Sequence, residues 1–168
     1  MDLRPKLLGV NSMLLSLRNN VYIWQSEFAK EMDEILENVG FTLMDFPWED
    51  CELLPNDLDH FTQGGNKNFV DYLVRILEPL SDKKILILAD STLGYWDSTS
   101  EIPYDVISCC GVGYTTHPIN FRSLIWDMRT QYDIILMIGG WNDKYSPMDM
   151  VSRCVERFVR TLSQKIIK

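Results

Sequence analysis

Five short apolar runs punctuate this chain: "KLLGVN" (6–11), "FTLMDF" (41–46), "KILILAD" (84–90), "YDVISCC" (104–110) and "YDIILMIGG" (132–140). Three of them are nearly continuous in Leu, Ile, Val and Met rather than alternating with polar residues. A strand with one wet face alternates; a strand covered on both faces does not. None of the runs is long enough to cross a bilayer. They are therefore expected to be strands of a parallel sheet with a helical layer on each side.

The segments between the runs supply those layers. From Tyr22 to Asn38, the residues Trp24, Phe28, Met32, Ile35 and Leu36 recur at helical spacing, and Gly40 supplies a stop. From Asn66 to Leu80, the residues Phe69, Leu73, Ile76, Leu77 and Leu80 share a stripe that ends at a proline. A shorter helix is predicted over Pro118–Thr130. A last one, over Pro147–Ile167, carries Val151, Val155, Phe158, Leu162 and Ile166 on one face. Strands alternating with helices predict a single α/β domain spanning 1–168, a three-layer α/β/α sandwich.

Composition narrows the function classes. The formal net charge is −8 and no lysine/arginine cluster stands out, so nucleic acid is not an expected partner. No signal-like segment or membrane span is read in the chain, and a cytoplasmic location is the expectation. The four cysteines (51, 109, 110 and 154) form no CxxC pair. They read as buried, reduced thiols rather than as disulfides or zinc ligands. No cofactor or metal is implied.

In an open parallel sheet the working crevice lies outside the carboxyl ends of the strands. Four of the segments after strands carry polar residues of a particular kind: Asp90, Ser91 and Gly94; Gly111 and Gly113; Asn142 and Asp143; and a loop with Asp57 and His60. Asn11 and Ser12 come after the first run. Serine is a poor nucleophile until a base takes its proton, and imidazole is suited to that near neutral pH. A carboxylate three residues from the histidine can hold the ring in the right tautomer. The N–H groups of Ser91 and Gly111 and the side-chain amide of Asn142 can stabilise an oxyanion. Each residue alone has a plainer reading. Ser91 is equally a helix cap. Gly111 and Gly113 read as turn residues, Asn142–Asp143 as a cap or turn, and His60 as a loop hydrogen-bonder. His117 is assigned a structural role. Cys109 or Cys110 is a weaker rival nucleophile, because the run that carries them is apolar. One chemistry, however, places all five residues together.

These blocks resemble those of the SGNH hydrolases, the GDSL esterase/lipase family. "ADSTLG" is similar to the nucleophile block, "CCGVG" to the block with the oxyanion glycine, "GGWND" to the GxND block, and "DLDH" to the DxxH block. Two departures stand out: Ala89 replaces the usual glycine before Asp90, and DxxH comes first instead of last. A circular permutation restores the order, with the family's chain beginning at about Asp82 and Lys168 joined to Met1. The resemblance implies a flavodoxin-like five-stranded sheet. In this chain's own order its strands would run 4-3-5-1-2. It also implies a serine esterase with Ser91 as nucleophile, His60 as base and Asp57 as its partner, with Ser91, Gly111 and Asn142 as oxyanion donors. The substrate would be a small or acyl ester such as an O-acetyl group or a lysolipid. Trp48, Tyr95, Trp96, Tyr114 and Trp141 are candidates to line its pocket, or else core residues. The alternative is a catalytically silent scaffold of the same kind, used as a binding module. Oligomeric state is left open.

Overall fold

β5 (Ile85–Ala89) and β7 (Ile134–Gly139) are buried at every residue, as unbroken apolar runs require. The computed structural model describes residues 5–12, 23–115 and 132–163. The remaining strands of the main sheet are β1 (Lys6–Asn11), β2 (Thr42–Leu43) and β6 (Asp105–Ser108). Their order is β2-β1-β7-β5-β6, and every neighbouring pair is parallel. Numbered as the five apolar runs, this is the expected 4-3-5-1-2 order read from the other edge.

Alternate residues of each strand serve opposite layers. Ile85, Ile87, Ile134, Leu136, Ile138, Leu8 and Val10 share one core with Phe69, Val70, Leu73 and Leu77 of α2 (Gln63–Leu77). Leu86, Leu88, Ile135 and Met137 share the other core with Phe28, Met32 and Leu36 of α1 (Ile23–Asn38) and with Val151, Val155 and Phe158 of α4 (Met148–Ser163). Each such side chain contributes about 1.5–3 kcal/mol of transfer free energy. The result is the expected three-layer sandwich. A single-turn helix, α3 (Ser91–Gly94), comes directly after β5. Among the described residues no helix is long and apolar enough to cross a membrane. The helix predicted over Pro118–Thr130 lies outside the described residues.

The run 41–46 shortens to Thr42–Leu43, and 104–110 to Asp105–Ser108, so Cys109 and Cys110 fall in the turn after the strand. The segment 57–61, expected as a loop, is strand β4 (Asp57–Phe61), paired antiparallel with β3 (Leu53–Leu54) across Pro55–Asn56. α2 starts at Gln63, earlier than predicted, because Thr62 caps it by accepting the Gly65 N–H at 3.0 Å. Gly64 and Gly65 are inside the helix. Gly65 is there for space: a Cβ on it would lie 2.1 Å from the Glu52 carbonyl oxygen. The chain entering β3 thus passes directly over the helix's first turn, and Thr62 N–H donates to that same carbonyl at 2.9 Å.

Gly65→Ala is expected to destabilise the fold by about 1–3 kcal/mol, the usual range for overpacking. Gly64→Ala meets nothing closer than the Thr62 hydroxyl at 4.0 Å. It should gain up to about 1 kcal/mol from helix propensity. Urea midpoints of the two variants should therefore move in opposite directions.

Candidate active site

All five strands of the sheet run parallel, so their carboxyl ends share one edge. Asp90–Ser91 lie just beyond β5, Gly111 beyond β6, Trp141–Asn142 beyond β7, and Ser12 beyond β1. Side chains stitch these segments together. The Ser12 hydroxyl donates to Asp90 Oδ2 at 2.7 Å and accepts the Trp141 N–H at 3.0 Å. Asp90 Oδ1 accepts the Thr92 N–H at 2.9 Å and the Thr92 hydroxyl at 2.5 Å. Asp90 is fully enclosed. Burial pushes its carboxyl above the usual range, against the pull of the Thr92 and Ser12 donors.

Asp90, then, is the residue that caps α3. Ser91 is relieved of the capping role that was its plainer reading. It stands half-buried at the first helical position, where a backbone N–H has no partner within the helix. Neither its N–H nor its hydroxyl is hydrogen-bonded to a described residue.

Asp57 and His60 are joined. The His60 Nδ1–H donates to Asp57 Oδ2 at 2.6 Å, and the Asp59 N–H donates to Asp57 Oδ1 at 3.0 Å. In a regular strand, residues three apart point to opposite faces. Here the register slips, Leu53 facing Phe61 but Leu54 facing Asp57, and the resulting bulge lets the two side chains meet. Burial works to raise the Asp57 carboxyl, but the Asp59 N–H and the His60 ring outweigh it and hold the carboxyl below its ordinary value. His60 Nε2 is bonded to no described residue.

The structure does not link Ser91 to His60 by a hydrogen bond, but it packs their elements together. β4 lies against α3. The His60 ring stacks on Tyr95, with centroids 4.4 Å apart, and the Tyr95 N–H donates to the Ser91 carbonyl at 3.1 Å. The Trp96 indole donates to the Phe61 carbonyl at 2.7 Å. Asn66, fully buried on α2, donates to the Thr92 carbonyl at 2.9 Å and accepts from the Ser98 hydroxyl. The hairpin and the first turn of α2 therefore hold the serine turn from one side.

The remaining donors line the same edge. Gly111 has φ +79°, a left-handed conformation natural to glycine, and its N–H is bonded to no described residue. The Asn142 amide donates one hydrogen to the Val112 carbonyl at 3.0 Å, which leaves its second hydrogen for another acceptor. Asp143 does take the turn role that was its plainer reading. Buried, it accepts the N–H groups of Tyr114 and Thr115, each at 2.9 Å, and the Thr115 hydroxyl at 2.8 Å. Gly113 is required beneath it, since a Cβ there would lie 2.7 Å from Asp143 Oδ1.

Several expectations are corrected. Trp48 is a core residue, stacked with Phe61 and Phe69; Tyr114 is buried beside Asp90 and Asp143, where it lines a small cavity with Gly113 and Gly139. Tyr95 is exposed and stacks on His60, and Trp141 is half-buried beneath the Lys144 ammonium. Of the cysteines only Cys51 is buried; Cys154 is half-buried, and Cys109 and Cys110 are exposed. His117 lies outside the described residues. Lys144 and Asp59 are additions that spacing alone did not signal. The Lys144 ammonium sits 3.5 Å from the Trp141 ring centroid and 3.9 Å from Asp59 Oδ2, tying the 141–144 turn to the hairpin. Burial lowers the Lys144 pKa and raises that of Asp59, while the attraction between them opposes both. A separate cleft of about 280 Å³ lies at the opposite edge of the sheet, lined by Lys83, Lys84, Tyr104 and Tyr132 among others, with no histidine or cysteine.

A depressed carboxyl contributes stability above its unfolded pKa and loses it as pH falls through the folded value. Asp57→Asn removes that contribution. The melting temperature of wild type should exceed that of Asp57→Asn at neutral pH, and the gap should close as the solution is acidified through the carboxylate range. A gap that stays constant with pH would show that the Asp57 charge is not stabilised by its neighbours. No family model, curated protein or solved structure matches the chain.

Proposed function

We propose that the protein is a serine esterase of the SGNH type that works through an acyl-enzyme. The observation that carries this reading is the 2.6 Å Asp57–His60 pair, its ring stacked on the residue one helical turn from a serine whose N–H and hydroxyl are bonded to no described residue. Asp57 orients the imidazole. His60 Nε2 takes the proton of Ser91 as Oγ attacks an ester carbonyl. The N–H groups of Ser91 and Gly111 and the free hydrogen of the Asn142 amide stabilise the oxyanion. His60 then protonates the leaving alcohol and activates water for deacylation. The Ser91–His60 hydrogen bond would form as substrate binds, since catalytic hydrogen bonds are often long in ligand-free enzymes. An O-acetyl group or a lysolipid fits the reading, with Tyr95 and Trp141 beside the acyl or alcohol group.

The lack of a Ser91–His60 hydrogen bond also favours a second reading, a silent scaffold of the same fold that binds without turnover. Two measurements separate them. Wild type should hydrolyse p-nitrophenyl acetate, and a fluorophosphonate should label Ser91. Ser91→Ala and His60→Ala should lower kcat by about 10³-fold or more. Asn142→Ala should lower it by about 10²–10³-fold, the effect of removing one oxyanion donor. Turnover that survives Ser91→Ala would refute the mechanism. A wild type that neither turns over nor labels would favour the silent scaffold.

A further inference from the structure

Cys109 and Cys110 stand side by side, exposed, as free thiols in the turn after β6. Two features make their position unusual for a pair of soft nucleophiles. Cys110 directly precedes Gly111, whose positive φ turns the backbone at the crevice. Its Sγ also lies 3.5 Å from a Cβ built on Gly94, so the thiol rests over the end of the α3 turn that Ser91 begins. Cys109 is anchored beside it, its N–H donating to the Ala89 carbonyl at 3.0 Å and its Sγ 3.8 Å from the Cys110 carbonyl oxygen. The other two cysteines are set apart from this. Cys51 is sealed in the core, its Sγ 3.8 Å from the Pro47 carbonyl oxygen, and Cys154 is half-buried on α4.

Exposure decides which thiols meet a soluble electrophile. We propose that the Cys109–Cys110 pair is a thiol-modification site for a low-molecular-weight disulfide of the glutathione class, and that an adduct on Cys110 closes the crevice. In the exchange, Cys110 gives its proton to solvent and its thiolate attacks one sulfur of the disulfide. A new S–S bond forms to that half, and the other half leaves as a thiolate and is protonated. Cys110 is oxidised and the departing half reduced. The attached peptide would sit over Gly94 and beside the Ser91 and Gly111 N–H groups. A thiol reductant reverses the exchange. The modification site is independent of the esterase reading; the effect on turnover rests on it.

The test treats the full reduced chain with glutathione disulfide and maps the adducts by peptide mass spectrometry. The expected result is modification within 109–110 ahead of Cys154 and Cys51, removed by dithiothreitol. Adduct on Cys154 with 109–110 untouched would overturn the proposal. Modified protein should lose p-nitrophenyl acetate turnover and fluorophosphonate labelling of Ser91, and both should return with dithiothreitol. Cys110→Ser should escape the loss and Cys109→Ser should retain it. Full modification of Cys110 with labelling unchanged would also overturn closure. If unmodified wild type neither turns over nor labels, the esterase reading has failed, and adduct position alone decides the modification site.

Discussion

The crevice depends on β7 lying between β1 and β5. β7 pairs along its whole length with β1, and five of its residues pair with β5. These three strands arrive at one edge in register because their interiors are dry on both faces and parallel pairing supplies partners for their backbone amides. The turn leaving each strand is thereby held close to the turns leaving its neighbours. Residues far apart in sequence, Ser12, Asp90 and Trp141, meet in a single chain of hydrogen bonds for that reason.

The buried Asp90 is the polar counterpart of that pairing. A carboxylate without contact with water is costly unless its oxygens are occupied. Three donors from Ser12 and Thr92 occupy them. The same arrangement fixes the start of α3, so one enclosed side chain both joins the strand ends and positions the turn that carries Ser91. Asp143 does the equivalent for the turn after Gly113, binding Tyr114 and Thr115 across the gap.

The layers and strand order were legible because they derive from hydrophobic period and from the order of four motif blocks. Every described stripe residue of the helices for which burial is resolved faces a core, Met32, Leu73 and Val155 among them. The features that escaped were local. The β3–β4 hairpin is too short to show a period, and its bulge is a matter of register, which side-chain pattern does not encode. Its one signal was Pro55–Asn56, a turn pair directly after Leu53–Leu54. The early start of α2 was hidden because Gly65 is small for the sake of a neighbour 13 positions away and not for its own backbone. The exposed cysteines were misjudged because the strand carrying them stops two residues short of where its apolar run ends. Lys144 was invisible because its partners, Trp141 and Asp59, are assigned only by the folded turn.

Asp57 and His60 sit on one five-residue strand, whereas Ser91 opens α3, just beyond β5 of the main sheet. Any shift of the hairpin carries both members of the pair together. Their mutual distance is insulated from such a shift; on the esterase reading, the separation from the serine is what the rest of the molecule can tune.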